Sequence, residues 1–171
     1  MPDSTLTGFE THRDEPTAVW GRRAVLTLLL VIVLAGVSGL LGVRTSTSNH
    51  VRGGYTLNVD HASISRAGLD VPWEVTVTRE GGFEKTITLA VTGDYFDIYE
   101  TQGFTPEPSA AVRDADTLYL TFDAPAGDTF TVDYDAYIQP ASQRGASATV
   151  SVVDADLQPV VSVDLDTWLL P

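Results

Sequence analysis

The chain has 171 residues, 23 acidic against 10 basic, a net charge of −13 and no cysteine. A surface this acidic repels nucleic acid and anionic lipid headgroups, so neither is expected as a partner. Without cysteine the chain has no disulfide framework, thiol nucleophile, thiolate metal site or lipidated cysteine.

Met1–Arg23 is expected to be a disordered cytoplasmic tail, with three arginines and four carboxylates. It is followed by Ala24–Val43 (AVLTLLLVIVLAGVSGLLGV), twenty residues without a charge. As a helix rising 1.5 Å per residue, such a run crosses roughly the 30 Å hydrocarbon core of a bilayer. Trp20 stands where an indole fits the headgroup layer, and Arg22 and Arg23 abut the run while Arg44 stands alone beyond it. That bias predicts a single-pass protein of the cell membrane, a signal-anchor with its N-terminus cytoplasmic and its C-terminal part extracytoplasmic. Arg22-Arg23 before an apolar run, with small residues at Gly36-Val37-Ser38, also fits a cleaved export signal. Either way the rest of the chain is delivered to the same side. On a helix extending to Val43, Ala35, Gly39 and Gly42 share one face of small residues, a candidate contact with another membrane helix.

Arg44–Gly54 (RTSTSNHVRGG) is expected to be a polar linker. From Tyr55 onward the apolar residues recur with period two, the pattern of half-buried strands. Leu57 and Val59 begin it, then Trp73, Val75 and Val77, then Ile87, Leu89 and Val91, then Phe96 and Ile98. Leu118, Leu120 and Phe122 follow, then Phe130 to Ile138, Ala148 to Val152, and Val161 to Leu165. Turn residues separate them, among them Glu80-Gly81-Gly82, Thr92-Gly93-Asp94, Pro125 to Asp128 and Arg144-Gly145. Seven to eight short strands spaced in this way predict an all-β fold over residues 55–171, an immunoglobulin-like β-sandwich.

The order Trp73-Glu-Val-Thr-Val, Arg79-Glu-Gly-Gly-Phe83, Thr92-Gly-Asp-Tyr95-Phe96 and Phe122-Asp-Ala-Pro-Ala-Gly-Asp128 carries a resemblance. It resembles uncharacterised bacterial single-pass membrane proteins with a small extracytoplasmic immunoglobulin-like domain. At fold level it is similar to repeat domains of bacterial surface proteins, whose Pro-x-Gly-Asp turn introduces a long late strand. The chain departs from antibody domains in lacking their paired cysteines and strand-C tryptophan. The resemblance implies no catalytic residue and no cofactor. It implies a multi-pass membrane protein or a component of the bacterial cell envelope as the companion.

The residues themselves offer little catalytic chemistry. His61 and Lys85 stand alone in the β-rich part, with no G-x-S-x-G turn, phosphate loop, zinc spacing or dinucleotide fingerprint. No enzyme is expected. Asp-x-Asp pairs recur at Asp114/Asp116, Asp133/Asp135, Asp154/Asp156 and Asp164/Asp166. Only the two in turns, Asp114/Asp116 and Asp154/Asp156, are placed to converge on calcium, and neither matches an EF-hand. No metal site is assigned. The most interaction-like stretch is Asp94–Pro108 (DYFDIYETQGFTPEP). As a strand with Phe96 and Ile98 inward, it turns Tyr95 and Tyr99 to solvent beside a long loop carrying Phe104. These three aromatics are the candidate partner-binding residues. The expected function is a non-catalytic, membrane-anchored accessory module that contacts the bilayer and a membrane or envelope protein. An envelope carbohydrate-binding module, a secreted binding domain if the apolar run is cleaved, and a transmembrane sensor subunit are the alternatives.

Overall fold

The computed structural model describes residues 16–39, 42–100 and 103–170. The chain forms two compact units, Met1–Leu41 and Gly42–Pro171. In the first, α1 (Pro16–Val37) is a 22-residue helix. It opens on a proline, whose fixed φ and missing N–H suit a first helical position. None of its side chains is buried, and it is apolar around its circumference from Ala24 onward. The helix begins at Pro16, inside the expected tail; the tail before it lies outside the described residues. It also stops short of Val43. Ser38 N donates to Leu34 O at 2.9 Å and Gly39 N to Gly36 O at 3.1 Å. Gly39 then turns left-handed, with φ +72°, which ends the helix.

The second unit is almost all strand. Its elements are β1 (Arg44–Arg52), β2 (Tyr55–Arg66), β3 (Asp70–Val71), β4 (Trp73–Arg79), β5 (Thr86–Thr92) and the 3-10 turn η1 (Tyr95–Ile98). They continue as β6 (Phe104–Thr105), β7 (Ala110–Asp114), β8 (Thr117–Asp123), β9 (Thr129–Tyr134), β10 (Ala136–Tyr137), β11 (Ala146–Val153) and β12 (Pro159–Leu170). Nine strands run in the order β6-β9-β4-β2-β12-β11-β5-β8-β7, and β1 pairs with β2 off this path. β3 and β10 form a separate ladder. All the pairings are antiparallel except β12 with β2, where Trp168, Leu169 and Leu170 lie parallel to Ile64, Ser65 and Arg66.

The sheet curls on itself. β8 and β9 stand near opposite ends of the order, yet the rings of Phe122 and Phe130 are 5.1 Å apart. Period-two sequence explains the buried face. β9 alternates strictly between exposed and buried residues, and its Val132 and Phe130 face Val75 and Val77 of β4. Across the curl, Ile87 and Leu89 of β5 face Phe122 and Leu120 of β8. All eight side chains are buried, and each such burial contributes about 1.5–3 kcal/mol before ordering costs.

The expected linker is not one. Arg44 to Arg52 pair with β2 along the whole strand, and Gly53-Gly54, both at positive φ, close a two-residue hairpin of the kind that matches strand twist. Polar side chains hold β1 down: Ser48 Oγ donates to Asp164 O at 3.0 Å, and His50 Nδ1 lies 2.9 Å from Ser162 O. β1 is mostly exposed, so no apolar alternation marks it.

Candidate functional site

The aromatic stretch chosen from sequence is interior. Gly93 N donates to Asp116 O at 2.6 Å, and the chain then winds into η1 through Asp97 N to Asp94 O at 3.0 Å and Tyr99 N to Phe96 O at 3.1 Å. Winding replaces the strand period of two, so Tyr95, Ile98 and Tyr99 come to one side and turn inward together. Tyr95 is 0% exposed and Tyr99 2%, which corrects the expectation that both face solvent. Phe104 is half-buried: its ring centroid lies 4.6 Å from that of Tyr134 and 5.6 Å from that of Phe96. With Trp73, also edge-on to Phe96 at 5.2 Å, these rings form a continuous aromatic cluster. Tyr95, Tyr99 and Phe104 are therefore brought together, as packing rather than as a contact platform.

A hydrogen-bond chain crosses this cluster. Thr167 Oγ1 donates to Ala62 O at 2.7 Å, so it accepts from Tyr95 Oη at 2.8 Å, and Tyr99 Oη donates to Tyr95 Oη at 3.2 Å. Burial raises the phenol pKa of Tyr95 and Tyr99, most strongly for Tyr99, where the neighbouring Tyr95 adds to it. His61, 3% exposed, is pushed below its ordinary 6.5 by burial; backbone groups of Val59 and Asp166, then the carboxylates of Asp166 and Asp60, pull it partly back.

The small-residue face of the first unit is also redrawn. α1 ends at Val37, so Ala35 is helical while Gly39 sits in the left-handed turn and Gly42 in a bend beyond it. The three do not form one helical stripe. Of the acidic pairs, Asp154 serves its own turn, its Oδ1 accepting from Asp156 N and Gln158 N at 2.9 Å each. Asp164 accepts from Thr149 Oγ1 at 2.7 Å on the outer sheet face. Among the described residues no three His, Asp or Glu side chains converge to hold a metal ion.

Two surface features escaped the sequence pattern. One is Trp168, 71% exposed on β12 beside a depression lined by Arg144, Gly145, Ser147 and Asp166. The other is a cleft of about 610 Å³ where β2 and β4 face β5 and β11, lined by Tyr55, Arg79, Phe83, Lys85, Ile87 and Val152 among others. Tyr55 and Arg79 are register partners, and the Arg79 guanidinium lies over the Tyr55 ring, 5.0 Å from its centroid. β1 runs from Arg44, near the start of the unit, to Arg52 beside this cleft. At about 3.3 Å per residue the strand places the cleft at the far end of the unit from the chain's entry.

No protein-family model matches this sequence, and no curated protein matches it. The functional reading therefore rests on the residues alone.

Proposed function

We propose that the chain is a non-catalytic, membrane-anchored module. Its N-terminus is cytoplasmic, and its β unit, of the immunoglobulin-like sandwich class, is extracytoplasmic and docks on a membrane or envelope protein. The observation that carries this reading is α1: twenty-two residues, about 33 Å at 1.5 Å per residue, whose last fourteen, Ala24–Val37, are uncharged and apolar around the circumference, with no side chain of the helix buried. A helix apolar on every side needs lipid or other membrane helices to cover it. The non-catalytic part of the reading is supported by His61, whose ring is buried at 3% exposure.

The cysteine-free sequence makes the test clean. Thr17→Cys and Ala155→Cys, each in the full chain with a C-terminal tag, are treated in intact cells with a membrane-impermeant maleimide. Labelling of Ala155→Cys alone, with the protein resisting alkaline extraction and one integral-membrane protein co-purifying, supports the reading. Labelling of Thr17→Cys alone reverses the topology. Recovery of a soluble chain whose mass begins after Ser38 replaces the anchor with a cleaved signal.

A further inference from the structure

The cleft at the far end of the β unit is less acidic than its surroundings, with two cations among its lining residues to balance two carboxylates. From Arg44 onward the chain carries seven cationic side chains against nineteen acidic ones. Two of the seven, Arg79 and Lys85, line this one cleft, and Lys85 is the single lysine of the chain. Neither forms an ion pair among the described residues, where the salt bridge that does form joins Arg113 to Asp94 at 3.7 Å. Two carboxylates also line the cleft, Glu84 and Asp154, and the Oδ1 of Asp154 is already engaged by two backbone N–H groups.

Geometry adds to the charge. The β2–β4 register sets Arg79 opposite Tyr55, and stacking on the ring orients its planar guanidinium. A guanidinium held in this way presents paired N–H donors that match a carboxylate, and it is desolvated more cheaply than an ammonium. Behind the cations the lining is apolar: Phe83 is half-buried, and Ile87, Val152 and Val153 are buried. The volume is in the range of small-ligand sites.

We infer that this cleft binds a carboxylate carried on a compact apolar body, with Arg79 and Lys85 on the carboxylate and Phe83, Ile87 and Val152 against the body. A polyanion would meet the acidic remainder of the unit, whereas a single carboxylate carries the least charge that still engages both cations. A free carboxylic acid and the terminal carboxylate of a polypeptide share this chemistry. The inference deepens the interaction-module reading by naming what the module holds, and its test in solution is independent of membrane topology.

Full-chain protein in a non-ionic detergent is reductively methylated with ¹³C-formaldehyde, which keeps the charge and gives one lysine resonance, that of Lys85. Two probe pairs are titrated: 3-phenylpropionate with its amide, and N-acetyl-Gly-Val-Phe with its C-terminal amide. The expected result is a saturable shift of the Lys85 resonance by at least one acid, with the matching amide binding about tenfold or more weakly, as loss of a charge-assisted contact implies. Arg79→Gln weakens the acid by a similar factor, read by calorimetry, and leaves the amide unchanged. Where that variant does not fold, Lys85→Met carries the same test. Response to the peptide acid alone identifies a polypeptide terminus as the source, and response to both acids a free carboxylic acid site. No saturable shift with either acid up to about 10 mM, far weaker than specific recognition, overturns the inference. Equal binding of acid and amide, or a folded Arg79→Gln variant with unchanged acid affinity, does the same. The labelling experiment above is unaffected by any of these results.

Discussion

Tyr95 Oη lies 2.8 Å from Thr167 Oγ1, and that hydroxyl in turn donates to Ala62 O at 2.7 Å. The contact joins η1 to the last strand and to β2 in one buried line, with Tyr99 as its outer donor. Thr167→Val removes the acceptor of Tyr95 and the donor to Ala62 while nearly preserving shape. Orphaning buried polar groups in this way costs about 1–3 kcal/mol. A urea titration of the full chain in non-ionic detergent should show a lower midpoint for Thr167→Val, and Thr167→Ser, which keeps the hydroxyl, should lose less.

Tyr99→Ala and Phe104→Ala separate packing from recognition. Tyr99 is 2% exposed and its ring sits 5.7 Å from that of Tyr95 and 5.9 Å from that of Tyr134. Emptying such a site costs about 3–5 kcal/mol, in the range measured for large aromatic truncations. Phe104, half-buried on the short edge strand β6, should lose less. The denaturation midpoint should therefore fall for both variants, with Tyr99→Ala the lower. Any loss of a partner in a pull-down with these variants should follow the fall in folded fraction. An unchanged Tyr99→Ala midpoint would mean the ring is not a core element.

The elements legible in the sequence are those with an apolar side to bury. Trp73, Val75 and Val77 of β4, and Ile87, Leu89 and Val91 of β5, declare a strand because every second residue is inside. β1 has no such side. Its nine residues are held by backbone pairing to β2 and by one hydroxyl and an imidazole reaching β12, so polar composition conceals a strand. Only Gly53-Gly54 ahead of Tyr55 signalled the hairpin. At Tyr95–Tyr99 one turn of 3-10 helix replaces the period of two, so Tyr95 and Tyr99 turn inside beside Ile98, which is inside as its apolar character requires. The cleft was not legible at all. Arg79 and Lys85 are unremarkable cations in sequence, and the curl of the sheet is what brings Val152 and Ile87 beneath them.

His61 sets a direction for the pH dependence of stability. Its folded pKa lies below its ordinary 6.5 because burial disfavours the cation. The unfolded chain therefore binds more protons between those two values, and stability rises with pH across that window. Above 6.5 the His61 contribution is fully present, and it is lost as pH falls through the folded pKa. A melting-temperature series from pH 7.5 downward should slope toward instability below about 6.5, and His61→Asn should flatten that part of the slope. Equal slopes in both proteins would locate the acid sensitivity elsewhere.

Gly145 should tolerate no side chain. A Cβ built there falls 1.7 Å from Thr167 O, 2.7 Å from Thr167 C and 3.0 Å from Trp168 Cα. All three are backbone atoms, so no rotamer change relieves the clash, and the start of β11 must lift away from β12 at the Ala146–Thr167 pair. Overpacking of this kind costs about 1–3 kcal/mol or more. Here it acts beside the hydroxyl that anchors Tyr95, so the tyrosine cluster should loosen with the strand. Gly145→Ala should lower the urea midpoint and weaken the near-ultraviolet circular dichroism of the aromatic cluster together. Gly127→Ala is the matched control: nothing lies within 4 Å of its added carbon, so its effect should stay within about 0.5 kcal/mol. If Gly145→Ala proved as mild as Gly127→Ala, β11 and β12 would not approach at Thr167 as closely as the built carbon requires.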